Sequence, residues 1–523
     1  MKKSLSKKLL CLITAASIMT TLSACKGKTE TETATKNETK EPLKLTAMLI
    51  SWGVTPPKDG VIEQEYEKRT NTVLDVTWVP YAEYTDRFNL LLASNDAKDV
   101  MQAYSSGGSL FYPQFVQAIK GGLFHDLTPY VTKDYIKNNS IMKDWSQSVW
   151  DNVTFNKKIY ALPRYIQPIP SNSGIIVRKD LFDKAGLKEP TTLDELADVI
   201  IKLNKPGEYY GLQFSKNDFD ATEVKAVAVA YTGVQDWGVD KEGNFTYQSF
   251  MPEYKDFLKW MKKLYDAKAI DPEFALGQYA NSDFVKGKSA LKMHTWWNWD
   301  QSEDGLTKRF FNSSVTPEAR TWAFMPIKGP KAYTTGINPG FENPLVISSK
   351  VKKEDVPRVL EVVNGHTDDE FQKFLSYGTE GVHYTMENGK VKLTDENKKK
   401  KSEDVPDIWH MFFLKYNQDY VTEKFVNFNA SAANVERVKQ IRDAAEKAYK
   451  EYNISAPQLT LDAPSYYSKW NSITKDLKDN RVKVVMGKMT MEEWDKYVSD
   501  VTSSADYKKV LQEFKDSYNA NKK

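Results

Sequence analysis

The stretch from Leu43 to Tyr104 constrains the fold most. Leu43, Leu45, Ala47 and Leu49 fall on alternate positions, the period of a strand. Val61, Ile62 and Tyr66 then suggest a short helix. Leu74, Val76 and Trp78 alternate again, Tyr84, Phe88, Leu91 and Leu92 return to helical spacing, and Asp99 to Tyr104 reads as a third strand. A β-α-β-α-β order with connections too long for hairpins favours parallel strands under a cover of helices. Ligands of such sheets bind beyond the carboxyl ends of the strands. That places Trp52 and the loop Ser105-Ser106-Gly107-Gly108 on the functional rim.

The chain ahead of this body is of another kind. Lys2, Lys3, Lys7 and Lys8 precede an apolar stretch from Leu9 to Leu22, and Leu22-Ser23-Ala24-Cys25 follows. A basic start, a short apolar run and small residues describe a secretory signal. The run is too short and too diluted by Thr and Ser to span a core roughly 30 Å thick. Leu22-Ser23-Ala24-Cys25 resembles a bacterial lipobox, which implies that residues 1–24 are cleaved and that Cys25 is lipidated. The leader's four lysines, with no acid, leave with it, so formal net charge falls from +3 to −1. A near-neutral mature chain gives no argument for nucleic acid. Cys11 departs as well, and Cys25 is used by the lipid, so no thiol remains for a disulfide, a metal or a nucleophile. Lys26 to Glu41 holds no large apolar residue and is expected to be a disordered tether, residues 25–42.

Further on, Ile159 to Pro163 and Gly174 to Val177 are short apolar strands flanking the Pro-, Asn- and Ser-rich stretch Arg164 to Ser173, a plausible crossing between lobes. Thr192 and Glu195 have the spacing of a capping box. Thr334 to Gly340 is a second crossing ahead of the strand Leu345-Val346-Ile347, and Asn397-Lys398-Lys399-Lys400-Lys401 reads as a solvated loop. Several of these stretches carry a resemblance. Tyr160-Ala161-Leu162-Pro163, Val177-Arg178-Lys179-Asp180-Leu181, and Gly186-Leu187 with Pro190-Thr191-Thr192 resemble the extracellular solute-binding proteins of bacterial ABC importers. Phe284-Val285-Lys286-Gly287-Lys288-Ser289-Ala290, Gly378-Thr379-Glu380-Gly381 and Met486-Gly487-Lys488-Met489-Thr490 extend the likeness to the carbohydrate-directed family 1, in its long branch.

The resemblance implies an α/β architecture of two lobes, the type II periplasmic-binding-protein-like fold, with mostly parallel sheets flanked by helices and a hinged central cleft. The lobes are expected at 43–166 with 343–400, and at 167–342 with 401–523. It also implies a monomer without cofactor, held outside the cell membrane by its lipid, whose partners are permease subunits and a cytoplasmic ATPase.

The most suggestive cluster for a ligand is His294-Thr295-Trp296-Trp297-Asn298-Trp299-Asp300. Three indoles within four residues cannot all enter one core if the segment is extended. A sugar presents an apolar C–H face that an indole covers, while Asn and Asp take its hydroxyls. Trp296 and Trp297 are therefore the expected stacking residues, with Trp299 and Asn298 beside them; a hydrophobic plug between lobes is the alternative. Arg164, Tyr165, Gln167 and Asn172 on the first crossing and Phe341 and Glu342 on the second would face the cleft, as would Trp52 and Trp409. Arg164 could equally be the structural partner of an acid. The five histidines are far apart and show no metal-binding spacing. Neither a G-x-S-x-G elbow nor a phosphate-binding loop occurs, and although 70 acids leave room for a paired-carboxylate site, nothing points to one; the role that the resemblance implies is capture of an oligosaccharide or sugar derivative. A binding protein for peptides or amines and an anchored glycan-cleaving enzyme are the competing readings.

Overall fold

Two four-stranded sheets organise the chain. The structure, a computed structural model, describes residues 41–523 apart from 52–53, 105–108, 140, 166–172, 240–243, 278–281, 296–319, 337–339, 365–368, 388–389, 406–431, 453–461 and 523. In chain order the strands of the two sheets are β1 (Leu43–Ser51), β2 (Thr72–Pro80), β3 (Val100–Gln102), β4 (Ser173–Arg178), β5 (Tyr210–Gln213), β6 (Ser289–Thr295), β7 (Thr321–Ala323) and β8 (Leu345–Ile347).

The first sheet has the order β8-β3-β1-β2. β1 pairs in parallel with β2 and with β3, and β8 closes the edge antiparallel to β3. Its crossovers are the helices Val61–Thr70 and Tyr81–Ser94, as the alternating periods require. Both end on an asparagine in the left-handed region, Asn71 at φ 50° and Asn95 at φ 55°, a conformation that a short polar side chain tolerates. The second sheet has the order β7-β4-β6-β5. Only β6 and β5 run parallel there; β4 is antiparallel to both of its neighbours. The expectation of mostly parallel strands thus holds in the first sheet and not in the second. The helix Leu193–Lys202 carries the chain from β4 past the adjacent position to the outer edge, and β6 fills the gap in the opposite sense to β4.

Each sheet has its own hydrophobic cluster. The first gathers buried residues from Leu45 to Leu162 and from Phe341 to Val405, and the second from Ile175 to Ile327 and from Ala463 to Phe514. Aromatic rings fill much of the second: Trp237 is fully buried among Tyr247, Trp470, Tyr507 and Phe514. Capping fixes where its helices begin. Thr192 accepts from the Glu195 amide while the Glu195 carboxylate accepts from the Thr192 amide, and Thr490 and Glu493 repeat the arrangement. The helix Pro464–Ile473 touches both clusters: Tyr466 packs against the second and Tyr467 against the first, where its hydroxyl donates to Ser109 Oγ at 3.2 Å.

The lysine run is not a loop. It lies in the helix Asp395–Asp404, started by a capping box between Thr394 and Asn397. Lys400 pairs with Asp404 one turn on, and Lys401 is buried. Aspartate and glutamate placed four residues beyond the lysines supply the helical pairing that the run of charge conceals.

Candidate functional site

The carboxyl ends of the strands in the first sheet converge on the two crossing segments. β2 ends at Pro80, whose φ of −53° leads straight into the next helix, so Tyr81 is the first residue past the strand. Tyr81 is 46 % exposed. Tyr104 stands two residues beyond the end of β3 and is partly buried. Burial raises the pKa of the Tyr81 phenol, and the nearby Tyr104 and Glu342 raise it further. Tyr84, one turn from Tyr81 on the same helix, is buried and donates to the Gln102 carbonyl at 2.6 Å, which ties that helix to β3.

The crossings pair with each other. Leu162 and Leu345 exchange backbone hydrogen bonds of 2.7 and 2.8 Å, and the Glu342 amide donates to the Arg164 carbonyl at 3.0 Å. The Arg164 side chain is buried, and its Nη1 donates to the Glu342 carbonyl at 3.4 Å. Desolvation pushes the Glu342 carboxyl above the ordinary carboxylate range, and the positive charge of Arg164 opposes that rise. Next along, Tyr165 lies flat on Trp145, with centroids 5.1 Å apart and an interplanar angle of 8°. Burial raises the pKa of its phenol, and Glu446 of the helix Ala432–Tyr452 adds to the effect.

The second sheet presents charge at its carboxyl ends. Lys292 on β6 is buried and sits opposite Gln213, the last residue of β5. Asp218 and Glu223 follow β5 on the chain. Burial raises both carboxyls, while the ammonium of Lys292 draws both down. Asp218 is held in place by the Ser215 amide, which donates to its carboxylate at 2.7 Å. The described residues of the two rims offer phenol faces, carboxyl groups and an amide. Such a set can stack on a ring and exchange hydrogen bonds with hydroxyls. Among the described residues no group of three or more His, Cys, Asp or Glu side chains could hold a metal ion.

Of the residues singled out in the sequence, Arg164, Tyr165 and Glu342 come together at the crossings. Phe341 is 2 % exposed and belongs to the first core cluster. That corrects the expectation that it faces the cleft: its backbone bridges to Tyr165, while its ring fills the interior. Trp52, Gln167, Asn172, Trp296, Trp297, Asn298, Trp299, Trp409 and Cys25 lie outside the described residues. Sequence reasoning missed Tyr81, Tyr104, Lys292, Asp218 and Glu223. Position immediately after a strand could have flagged the two tyrosines, and a lysine inside the apolar run Ala290-Leu291-Lys292-Met293 could have flagged the third.

Known proteins share this architecture. A Bacillus subtilis (strain 168) protein described as polygalacturonan/rhamnogalacturonan-binding protein YtcQ is 27% identical over 517 residues, covering 95% of this chain and 95% of that protein. Lipoprotein LipO of the same organism is 26% identical over 381 residues, 69% of this chain and 71% of its own. Among solved structures, the HMO-binding ABC-transporter-associated solute-binding protein of Bifidobacterium longum infantis ATCC 15697 superposes with a TM-score of 0.67 at 17% identity, covering 92% of this chain and 99% of that one. The shared fold is the two-lobed type II binding-protein architecture. Residues 52–380, more than half of the chain, match the bacterial extracellular solute-binding protein family, and the chain belongs to that family.

Proposed function

We propose that this protein is the lipid-anchored receptor of an ABC importer, and that it captures an oligosaccharide or sugar derivative between two lobes and delivers it unaltered to the permease. The observation that carries this reading is that each sheet gathers groups suited to a sugar near its strand ends: the phenols of Tyr81, Tyr104 and Tyr165 by the first sheet, and Gln213, Asp218 and Glu223 by the second. The glycan-binding description of the Bacillus relative supports the same substrate class. In this reading the lobes are 43–166 with 343–400 and 167–342 with 401–523. Trp296 and Trp297 stack on the sugar, with Asn298 and Trp299 beside them. Contacts made only when the lobes close favour the closed form, whose surface the permease recognises. Cys25 carries the lipid that holds the receptor at the outer face of the membrane.

Calorimetry on the mature protein, against a panel of neutral and acidic glycans, tests the capture. One-to-one saturable binding with a tryptophan fluorescence change is expected, and Trp296→Ala should weaken it. Absence of binding across glycans, with binding to peptides or amines instead, would replace sugar by another solute. Chromatography after long incubation should return the glycan intact; shortened products would make the protein an enzyme. Cys25→Ser should release the protein from the membrane fraction into the medium.

A further inference from the structure

A second concavity lies in the half of the chain built on the second sheet. It has a volume of about 930 Å³ and shares no residue with the rims described above. Its walls are the start of the helix Leu193–Lys202, the end of the helix Thr222–Thr232, and the turn that follows β7. The space is as large as sites that hold an extended small molecule, which run to about 1,000 Å³.

The walls are rigidly made. The Met325 amide donates to Glu189 Oε1 at 2.7 Å, and the Lys328 amide donates to the Thr191 carbonyl at 3.2 Å. Ile327 and Thr334 close the turn through two hydrogen bonds of 2.9 Å, one from each backbone amide. Gly329 lies so close to the helix Thr222–Thr232 that a Cβ there would stand 2.4 Å from the Ala230 carbonyl oxygen. The cavity is therefore formed before any ligand arrives.

Its lining joins flat apolar faces to polar groups at the edge. Tyr231 and Tyr333 face it together with Pro190, Pro326 and Pro330. Asp194 and Lys328 are exposed at its margin, and neither is in an ion pair among the described residues. Phenol and pyrrolidine faces suit the C–H face of a pyranose, and an unshared carboxylate and ammonium suit its hydroxyls.

The geometry points to a second glycan-contact site here, one that holds a stretch of sugar chain apart from the stretch held at the carboxyl ends of the sheets. The inference rests on the proposed glycan receptor and deepens it: the ligand is a chain long enough to occupy both places. Two linked contacts then raise the affinity for long chains without changing that for short ones.

The test compares polygalacturonan with trigalacturonate by calorimetry, on the full mature chain and on Lys328→Ala and Tyr333→Ala. Affinity for the polymer should fall about tenfold or more in both variants, while a trimer bound by the wild type keeps its affinity. Unchanged polymer binding overturns the second site. Equal losses for polymer and trimer overturn it too, because the residues would then act through the fold or the first site. A wild type that binds neither probe, nor any glycan of the panel, overturns the receptor reading itself.

Discussion

Arg437 holds the long helix Ala432–Tyr452 against the second sheet, and its removal has a size that the structure sets. The side chain is buried, its Nε donates to the Ala323 carbonyl at 3.0 Å, and its guanidinium is paired with Glu189. It also lies 4.9 Å from the centre of the Trp322 ring. A hydrogen bond from an ionised donor contributes about 1.5–3 kcal/mol, and both of these bonds are of that kind. A cation over a ring adds about 0.5–2 kcal/mol. The three share one side chain and do not add in full. Glu189 keeps 30% of its side-chain exposure and rehydrates when its partner goes, which lowers the loss further. Arg437→Met, which preserves most of the volume, should therefore cost about 2–4 kcal/mol. Arg437→Lys should recover less than half of this, because an ammonium lacks the planar fork that serves a carbonyl and a carboxylate together. Urea unfolding followed by fluorescence and circular dichroism measures both. A loss for Arg437→Met below about 1 kcal/mol would refute the reasoning, since that is the range of an exposed ion pair. The double variant Arg437→Met/Glu189→Gln should be no worse than Arg437→Met alone, because the carboxylate then has no cation left to miss.

Three further outcomes can be checked by equilibrium unfolding. Thr192→Ala removes the cap of the helix Leu193–Lys202 and should lower stability by about 1 kcal/mol. Gly378→Ala should cost clearly more than Gly381→Ala. Both glycines have positive φ, which alone penalises alanine by about 1–2 kcal/mol, but at 378 the added Cβ would also stand 2.6 Å from the His383 ring, while at 381 it meets nothing. Equal losses would discount the clash. Folding raises the Glu342 carboxyl above 4.5, so its contribution is complete in acid and is lost as pH rises through the folded-state value. Glu342→Gln should accordingly gain on the wild type in thermal midpoint as pH rises from acid through the raised folded-state value; a gain in the opposite direction would place the carboxylate among stabilising partners.

The first sheet and several helix starts are legible in the sequence because local and long-range signals agree there. Alternation from Leu43, helical spacing from Tyr84 and the Thr192–Glu195 spacing each act over a few residues, and the folded chain obeys them. The sense of β4 is not legible, since alternation marks a strand and says nothing about its neighbours. The helix Asp395–Asp404 was hidden because Asn397 takes the capping position usually marked by Glu or Gln. At the site, Arg164 and Glu342 were found as crossing residues, yet whether a crossing residue turns inward depends on packing from elsewhere, and Phe341 turned inward. Lys292, Asp218 and Glu223 are ordinary charges in a chain with 70 acids until the fold brings them to one rim.

Tyr466 and Tyr467 are neighbours on one short helix, yet each is lodged in a different cluster. One short helix thus seats a ring in each cluster, so a change that shifts it in one cluster is felt in the other, one residue away.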